Sequence, residues 1–395
     1  MIPYIYVFLE LLMLFVLYKA GLSLKRNYEI LSPAGITSLI VYTLVLGLRF
    51  GRGIDYNVYW QTFDDINNGV VFEKSLTFYL LNKFLCYYEL PFQILIIIFS
   101  FTFILGVLLF LKNYREIVPY ALPLFVLFSQ TYVENMVRWY FAYSFLLIGL
   151  YFIQKEKVNF KGFLTFVIIG CSFHYAFIPI PLIFYLVYRV KKTIFHPIFV
   201  IPVFFAIYYF FNAKIMSNFV DTIQSFTLIT NSVYSGYTDN ATYWLTGGFS
   251  GAERSGNIGV VMLLFLVLLV ICGYKSVLKK GRNYQFAYNV FVIGLLLYPI
   301  SLKIELVERY DQTFFFFRSI VFSCALFSFK HLDNRYNLLI RASLLTLLIW
   351  TNLYFIRSPF VHSNKCFMYI WDYKHETADG MIKVWQDHAN KIFKK

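Results

Sequence analysis

The sequence predicts an all-α, polytopic integral membrane protein with about 12 transmembrane helices. Three observations carry that reading. The 395-residue chain is 59% hydrophobic and only 14% charged, against roughly 25% charge in an average soluble domain. Apolar runs long enough to cross a hydrocarbon core, about 20 residues, recur along it. Lys and Arg collect on alternate loops, the pattern that sets helix orientation in a bilayer. Too few polar residues remain to coat a soluble protein of this size. An ordinary soluble enzyme, a disordered chain and a disulfide-rich secreted module are therefore excluded.

The apolar runs are 2–19, 33–49, 91–111, 117–132, 136–153, 160–189, 194–211, 258–273, 285–302, 313–329 and 337–356. Ile2 to Tyr18 lacks a basic leader and an A-x-A cleavage site, so it reads as a first span and not as a signal peptide. The run 160–189 is too long for one crossing and is read as a short hairpin. That choice puts Lys25, Arg26, Lys112, Arg115, Lys155, Lys191, Lys192, Lys279, Lys280 and Arg282 on one side, which becomes the cytoplasmic one. A single span there would destroy the asymmetry. Both termini then lie outside; an inward N-terminus is the alternative. Residues 1–356 form one transmembrane domain with outer loops 50–90, 212–257 and 303–312. The tail 357–395 is extracytoplasmic or interfacial. Its Met381, Val384, Trp385, His388 and Ile392 repeat at helical spacing, so an amphipathic helix is expected.

The net charge of +14 is accounted for by the basic loops, and no nucleic-acid partner is expected. Cys86, Cys171, Cys272, Cys324 and Cys366 are scattered, with no C-x-x-C pair to suggest a metal site or a disulfide framework. No P-loop, dinucleotide fingerprint or H-E-x-x-H motif is present, so no metal or cofactor is expected. If there is a reaction, its energy source and leaving group arrive with the substrate.

Charges in or beside spans are costly unless paired or hydrated, and they mark candidate sites. Arg49-Phe50-Gly51-Arg52-Gly53-Ile54-Asp55-Tyr56-Asn57-Val58-Tyr59 begins where the second span leaves the membrane. Its guanidiniums suit bidentate phosphate binding and its glycines a close backbone approach; plain interfacial anchoring is the other reading. Asp64, Asp65 and Glu73 follow in the same loop; paired carboxylates can hold a metal or serve as a base, and solvated loop carboxylates are the favoured reading. Glu134-Asn135-Met136-Val137-Arg138 caps the fourth and fifth spans. Glu134 and Arg138, four apart, are placed to pair on one helix face, as a structural ion pair or as part of a cavity. Phe173-His174-Tyr175 tips the short hairpin. Gly162 to His174 is ~18 Å of helix, less than the ~30 Å core, so His174 is expected to be recessed below the outer surface, where it is a candidate base. Glu305, Glu308, Arg309, Tyr310 and Asp311 precede Arg318, which lies ~8 Å into the eleventh span and either snorkels or lines a cavity. Glu253 and Arg254 are candidates for the same rim. Glu10, midway through the first span, has no assignable companion in the sequence.

These residues resemble a known family, the EpsG-type polysaccharide polymerases, relatives in role of the Wzy O-antigen polymerases. The resemblance covers roughly residues 40–320. It rests on Arg49-x-Gly51, Asp55-Tyr56-x-x-Tyr59, Glu73, Asn135-x-x-Arg138, Phe173-His174-x-Ala176 and Arg309-Tyr310. Where the family has Gln after Asn-x-x-Arg, this chain has Trp139; where it has Glu-Pro, this chain has Glu73-Lys74. The resemblance implies a metal-independent, GT-C-like glycosyltransferase of a bacterial cytoplasmic membrane, working on the outer face. Its substrate would be an oligosaccharide repeat unit on undecaprenyl pyrophosphate, polymerised into a surface glycan. Membrane lipids, a flippase and chain-length regulators are the implied partners.

On that reading a diphosphate leaving group needs fixed cations, which Arg49, Arg52, Arg138, Arg254, Arg309 and Arg318 offer. His174 or Asp55 is the base, and Tyr56, Tyr59, Glu134, Asn135 and Tyr310 complete the binding set. An O-antigen ligase or another lipid-linked glycan transferase would need the same leaving-group chemistry. A transporter or lipid flippase, the less favoured alternative, would need two similar halves and midplane charges; no such halves are seen, and the charges gather near one face.

Overall fold

The computed structural model of the protein describes residues 2–50, 55–71, 75–211, 258–302, 305–328, 335–361 and 368–369. Arg52, Gly51, Gly53, Glu73, Glu253, Arg254, Cys366, the rest of the loop 212–257 and the predicted tail helix lie outside the described residues. The described chain is helical throughout except for one two-residue strand pair.

Four segments are long and apolar enough to cross a membrane on their own: Val7–Arg26, Phe92–Asn135, Val260–Leu278 and Arg282–Ser301. Five further apolar helices have 10–17 residues. The chain is therefore an all-α membrane protein.

Its contacts divide it into two units. The first comprises Met1–Pro181 and Asn352–Lys395. It holds α1 (Ile2–Arg26), α2 (Pro33–Gly47), β1 (Arg49–Phe50), α3 (Tyr56–Asn67), α4 (Leu76–Tyr87) and α5 (Phe92–Leu111). A 3-10 turn at Lys112–Ile117 leads into α6 (Val118–Asn135), followed by α7 (Val137–Ile153) and α8 (Phe160–Phe173). β2 (Met368–Tyr369) returns to pair antiparallel with β1, Arg49 opposite Tyr369 and Phe50 opposite Met368.

The spans of this unit pack closely because glycine lets backbones meet. A Cβ on Gly106 of α5 would stand 2.7 Å from the Ser144 carbonyl of α7, and one on Gly170 of α8 2.8 Å from the Ala142 carbonyl. The loops sort by end. Arg115 donates from Nε to the Lys25 carbonyl at 2.8 Å and from Nη2 to the Arg26 carbonyl, and Gln154 donates to the Tyr114 hydroxyl at 3.2 Å. The predicted basic loops 25–26, 112–115 and 154–157 thus share one end, and α3, α4 and the α6–α7 junction lie toward the other.

The loop 50–90 contains two helices, α3 and α4. Ser75 starts α4 by accepting the Phe78 N–H at 3.3 Å. α4 buries Phe78, Asn82 and Leu85 but exposes Leu76, Leu80, Phe84 and Tyr87. A helix too short to cross and apolar on its exposed side belongs at a membrane interface.

The second unit, Leu182–Thr351, contains most of α9 (Pro179–Arg189), then α10 (Pro197–Phe210), α11 (Val260–Leu278), α12 (Arg282–Ser301), α13 (Glu305–Phe315), α14 (Arg318–Ser328) and the greater part of α15 (Arg335–Val361). Arg282 donates to the Tyr188 carbonyl at 2.7 Å and lies over the Tyr188 ring, 4.0 Å from its centroid. Asn289 donates to the Lys192 carbonyl at 2.9 Å. The basic loops of this unit share an end as well.

Candidate active site

The predicted residues of the first unit gather where α3, α4, α6, α7 and α8 meet. A core of Tyr56, Phe63, Phe78, Phe92, Phe99, Val137, Phe141 and Phe173 joins α3, α4, α7 and α8 with α5. The helical run through the fourth and fifth spans breaks at Met136, whose φ of −95° and ψ of 59° lie off the helix. Glu134 and Arg138 therefore sit on two helices, one on each side of the break.

The break presents both flanking side chains. Asn135 Oδ1 accepts the Asp55 backbone N–H at 3.1 Å, which ties the end of α6 to the start of α3. Arg138 projects from the first turn of α7 over two rings, 5.7 Å from the Tyr59 centroid and 5.2 Å from that of Phe78. Those quadrupoles favour a cation and fix the guanidinium plane. Tyr56 is fully buried and donates to Gln93 Oε1 at 3.1 Å, while Gln93 Nε2 donates to the Arg49 carbonyl at 3.0 Å and to that of Gly47.

His174 terminates α8 in extended conformation, φ −153° and ψ 99°, so the run 160–189 does break at the expected turn. Its ring meets Trp139 edge-on at 5.1 Å, and Trp139 is the neighbour of Arg138 in α7. The turn is tied to α4 by Ser75, which donates to the Ser172 carbonyl at 3.0 Å, and by the Leu76 N–H, which donates to the Tyr175 hydroxyl at 3.4 Å. Asp55 thus touches Asn135, Arg138 touches Tyr59, and His174 touches Trp139, the chain neighbour of Arg138. His174 and Arg138 are half-buried, as are Tyr59 and Asn135.

Arg49 has a different setting. It is 1% exposed, and its Nη1 donates to the Leu46 carbonyl at 2.6 Å and to Ser100 Oγ at 3.4 Å. Glu134, also buried, accepts from Gln130 Nε2 at 3.3 Å.

The second unit holds its own polar group. Asp311 is fully buried and its Oδ2 accepts from Ser301 at 2.8 Å and from Gln312 at 2.9 Å. Arg318 lies 4.3 Å from the Phe315 ring centroid. Tyr298 of α12 stacks on the same Phe315 ring, 5.0 Å between centroids. Arg309 and Tyr310 are half-buried on the same helix as Asp311.

Asp311 was visible in the sequence only as one acid among several, and its burial singles it out. Gln93 was not singled out. An amide standing alone after Pro91, at the head of an apolar helix, was the available signal. Among the described residues no group of three His, Cys, Asp or Glu side chains is arranged to hold a metal ion.

A family profile matches residues 34–371, most of the chain and all of the segments just described. The chain belongs to the EpsG family. No curated protein and no solved structure matches it. EpsG membership associates the chain with polysaccharide biosynthesis and with polymerase activity of the glycosyltransferase type. In this EpsG-family chain the match spans both units, so the linked group in the first unit and the Asp311 group in the second both fall within it.

Proposed function

We propose that this chain polymerises oligosaccharide repeat units carried on undecaprenyl pyrophosphate, at the outer face of a bacterial cytoplasmic membrane, within a GT-C-like fold of about 12 spans. The observation that carries the reading is the α6–α7 break. It sets Arg138 beside two rings, ties Asn135 to the start of α3, and brings Trp139 against His174.

In the proposed reaction an acceptor hydroxyl attacks the anomeric carbon of the donor glycan. The new glycosidic bond forms as the bond to the pyrophosphate oxygen breaks. His174 or Asp55 takes the hydroxyl proton. The pyrophosphate leaves with the electron pair, and Arg138 meets the charge that develops there. A guanidinium already oriented by Tyr59 and Phe78 needs little reorganisation in that step. The exposed aromatic end of α4, where Tyr88 meets the rings of both Phe84 and Tyr87, offers faces for sugar stacking.

The test is glycan chain length and turnover in variants whose membrane abundance matches the parent. Arg138→Ala is expected to lower turnover about 100-fold or more, the scale of losing one preorganised charge-stabilising group. His174→Ala is expected to fall by a comparable or smaller factor. Long polymer at normal rate from both variants would sink the site. Supplying the purified lipid-linked repeat unit as the only glycan separates this reading from a ligase: a polymerase makes dimers and longer products from it. Arg309→Ala tests the contribution of the second unit, and a drop in turnover is expected.

A further inference from the structure

Glu10, without a companion in the sequence, acquires neighbours in the fold. It is fully buried on the stripe of α1 that also buries Met13, Leu17, Ala20 and Leu24. That helix packs against α2 and α6. Gly21 of α1 lies against Pro119 of α6 and the Tyr18 and Tyr120 rings meet at 6.1 Å, so the two helices run side by side along this stripe. Glu10 of α1, Arg49 of β1 and Glu134 at the end of α6 are all buried in the interior of the first unit. Arg49 lines a void of about 10 Å³ with Ser100, Val133 and Val137, room for about one water.

A guanidinium stays charged wherever it is placed. Buried at membrane depth, it needs counter-charge, and leaving such a charge without its partner is strongly destabilising. Buried carboxylates carry the converse requirement. Glu10 and Glu134 meet both conditions for Arg49. The two ends of the cluster also bear on the candidate site. Arg49 is in β1, whose carbonyl holds Gln93 and through it Tyr56. Glu134 immediately precedes Asn135, which binds the start of α3.

We propose that Glu10 and Glu134 are the buried counter-charges of Arg49, and that this cluster positions β1 and the α6 terminus so that Asp55, Asn135 and Arg138 are held in register. Arg49 is then a positioning residue that never touches the pyrophosphate. The inference rests on the reading of Arg138 and His174 as the reaction centre.

The experiment uses the full-length protein in detergent or membranes, with kcat, KM and thermal midpoint measured on lipid-linked repeat unit. Arg49→Met alone strands two carboxylates and is expected to lower kcat at least 10-fold or to abolish folding. The triple variant Arg49→Met, Glu10→Gln, Glu134→Gln removes every charge of the cluster. It is expected to fold and to regain kcat to within about 3-fold of the parent with an unchanged KM, since a neutral cluster needs no compensation. A triple variant that folds with the parental thermal midpoint yet stays as inactive as Arg49→Met overturns the proposal, because Arg49 then acts on substrate. Failure of the triple variant to fold overturns the compensation argument, and full activity of Arg49→Met alone overturns both. Full activity of Arg138→Ala is a separate result that removes the proposed reaction centre and leaves the rescue of folding to be read by itself.

Discussion

Asn135 is the smallest part of the candidate site and the one with the clearest energetic meaning. Its Oδ1 is the acceptor for the Asp55 N–H at 3.1 Å, at the entry to α3. Asn135→Ala leaves that donor without its acceptor, at about 1 kcal/mol for one lost hydrogen bond. The larger consequence is positional. Asp55 and Tyr59 ride on α3, and Tyr59 is one of the two rings beside Arg138. The expected outcome is a thermal midpoint only a few degrees lower with polymer markedly shortened. A midpoint loss with normal polymer would leave Asn135 a structural residue alone.

The sequence marked Asn135 as half of a motif, and its type was informative, since a side-chain acceptor suits a chain end. What it bonded was not legible, because its partner is a backbone group eighty residues earlier. The helix break between Glu134 and Arg138 was not legible for a related reason. No Gly or Pro announces the break at Met136, so the run looked continuous, and tertiary packing overrides local propensity there.

At the scale of elements, the spans were legible wherever an apolar run was long, as in α5, α11 and α12. The outer helices α3 and α4 were not. α4 is apolar on its exposed face as well as its buried one, so its pattern gives no clean 3.6-residue stripe. Cys86, near the end of α4, reports on this hairpin. Its Sγ lies 3.9 Å from the Phe63 carbonyl of α3, and burial first, then the Asp64 charge, pushes the thiol above its ordinary value. A raised thiol pKa means less thiolate near neutrality and slow alkylation. In a chain whose other cysteines are replaced by Ser, Cys86 is expected to label slowly at pH 7 and faster as pH rises. Asp64→Asn, which removes the charge that disfavours the thiolate, is expected to speed labelling at fixed pH. An unchanged rate would show that Asp64 and Cys86 do not face each other.

For the whole molecule, charge asymmetry was the most informative sequence signal. The +14 charge concentrates at loop ends that the fold ties together by backbone acceptors, as at Arg115 and Arg282. The division into two units was not legible, since both are built from apolar helices of the same composition, and composition carries no information on which helices touch.

The pairing of β1 with β2 has a consequence in time. Arg49 and Phe50 leave the ribosome early, whereas Met368 and Tyr369 follow more than three hundred residues later. At roughly 5–20 residues per second, that interval is on the order of tens of seconds. For all of it, the backbone edge beside the buried Arg49 waits unpaired within a nearly finished first unit. A chain shortened to end before Met368 is expected to insert normally and reach parental abundance, yet to give little polymer. Co-expressing the missing segment as a separate peptide is expected to restore part of it. Full polymer from the shortened chain would show that the edge needs no closing strand. On that expectation a strand made late completes a site whose other parts were laid down early.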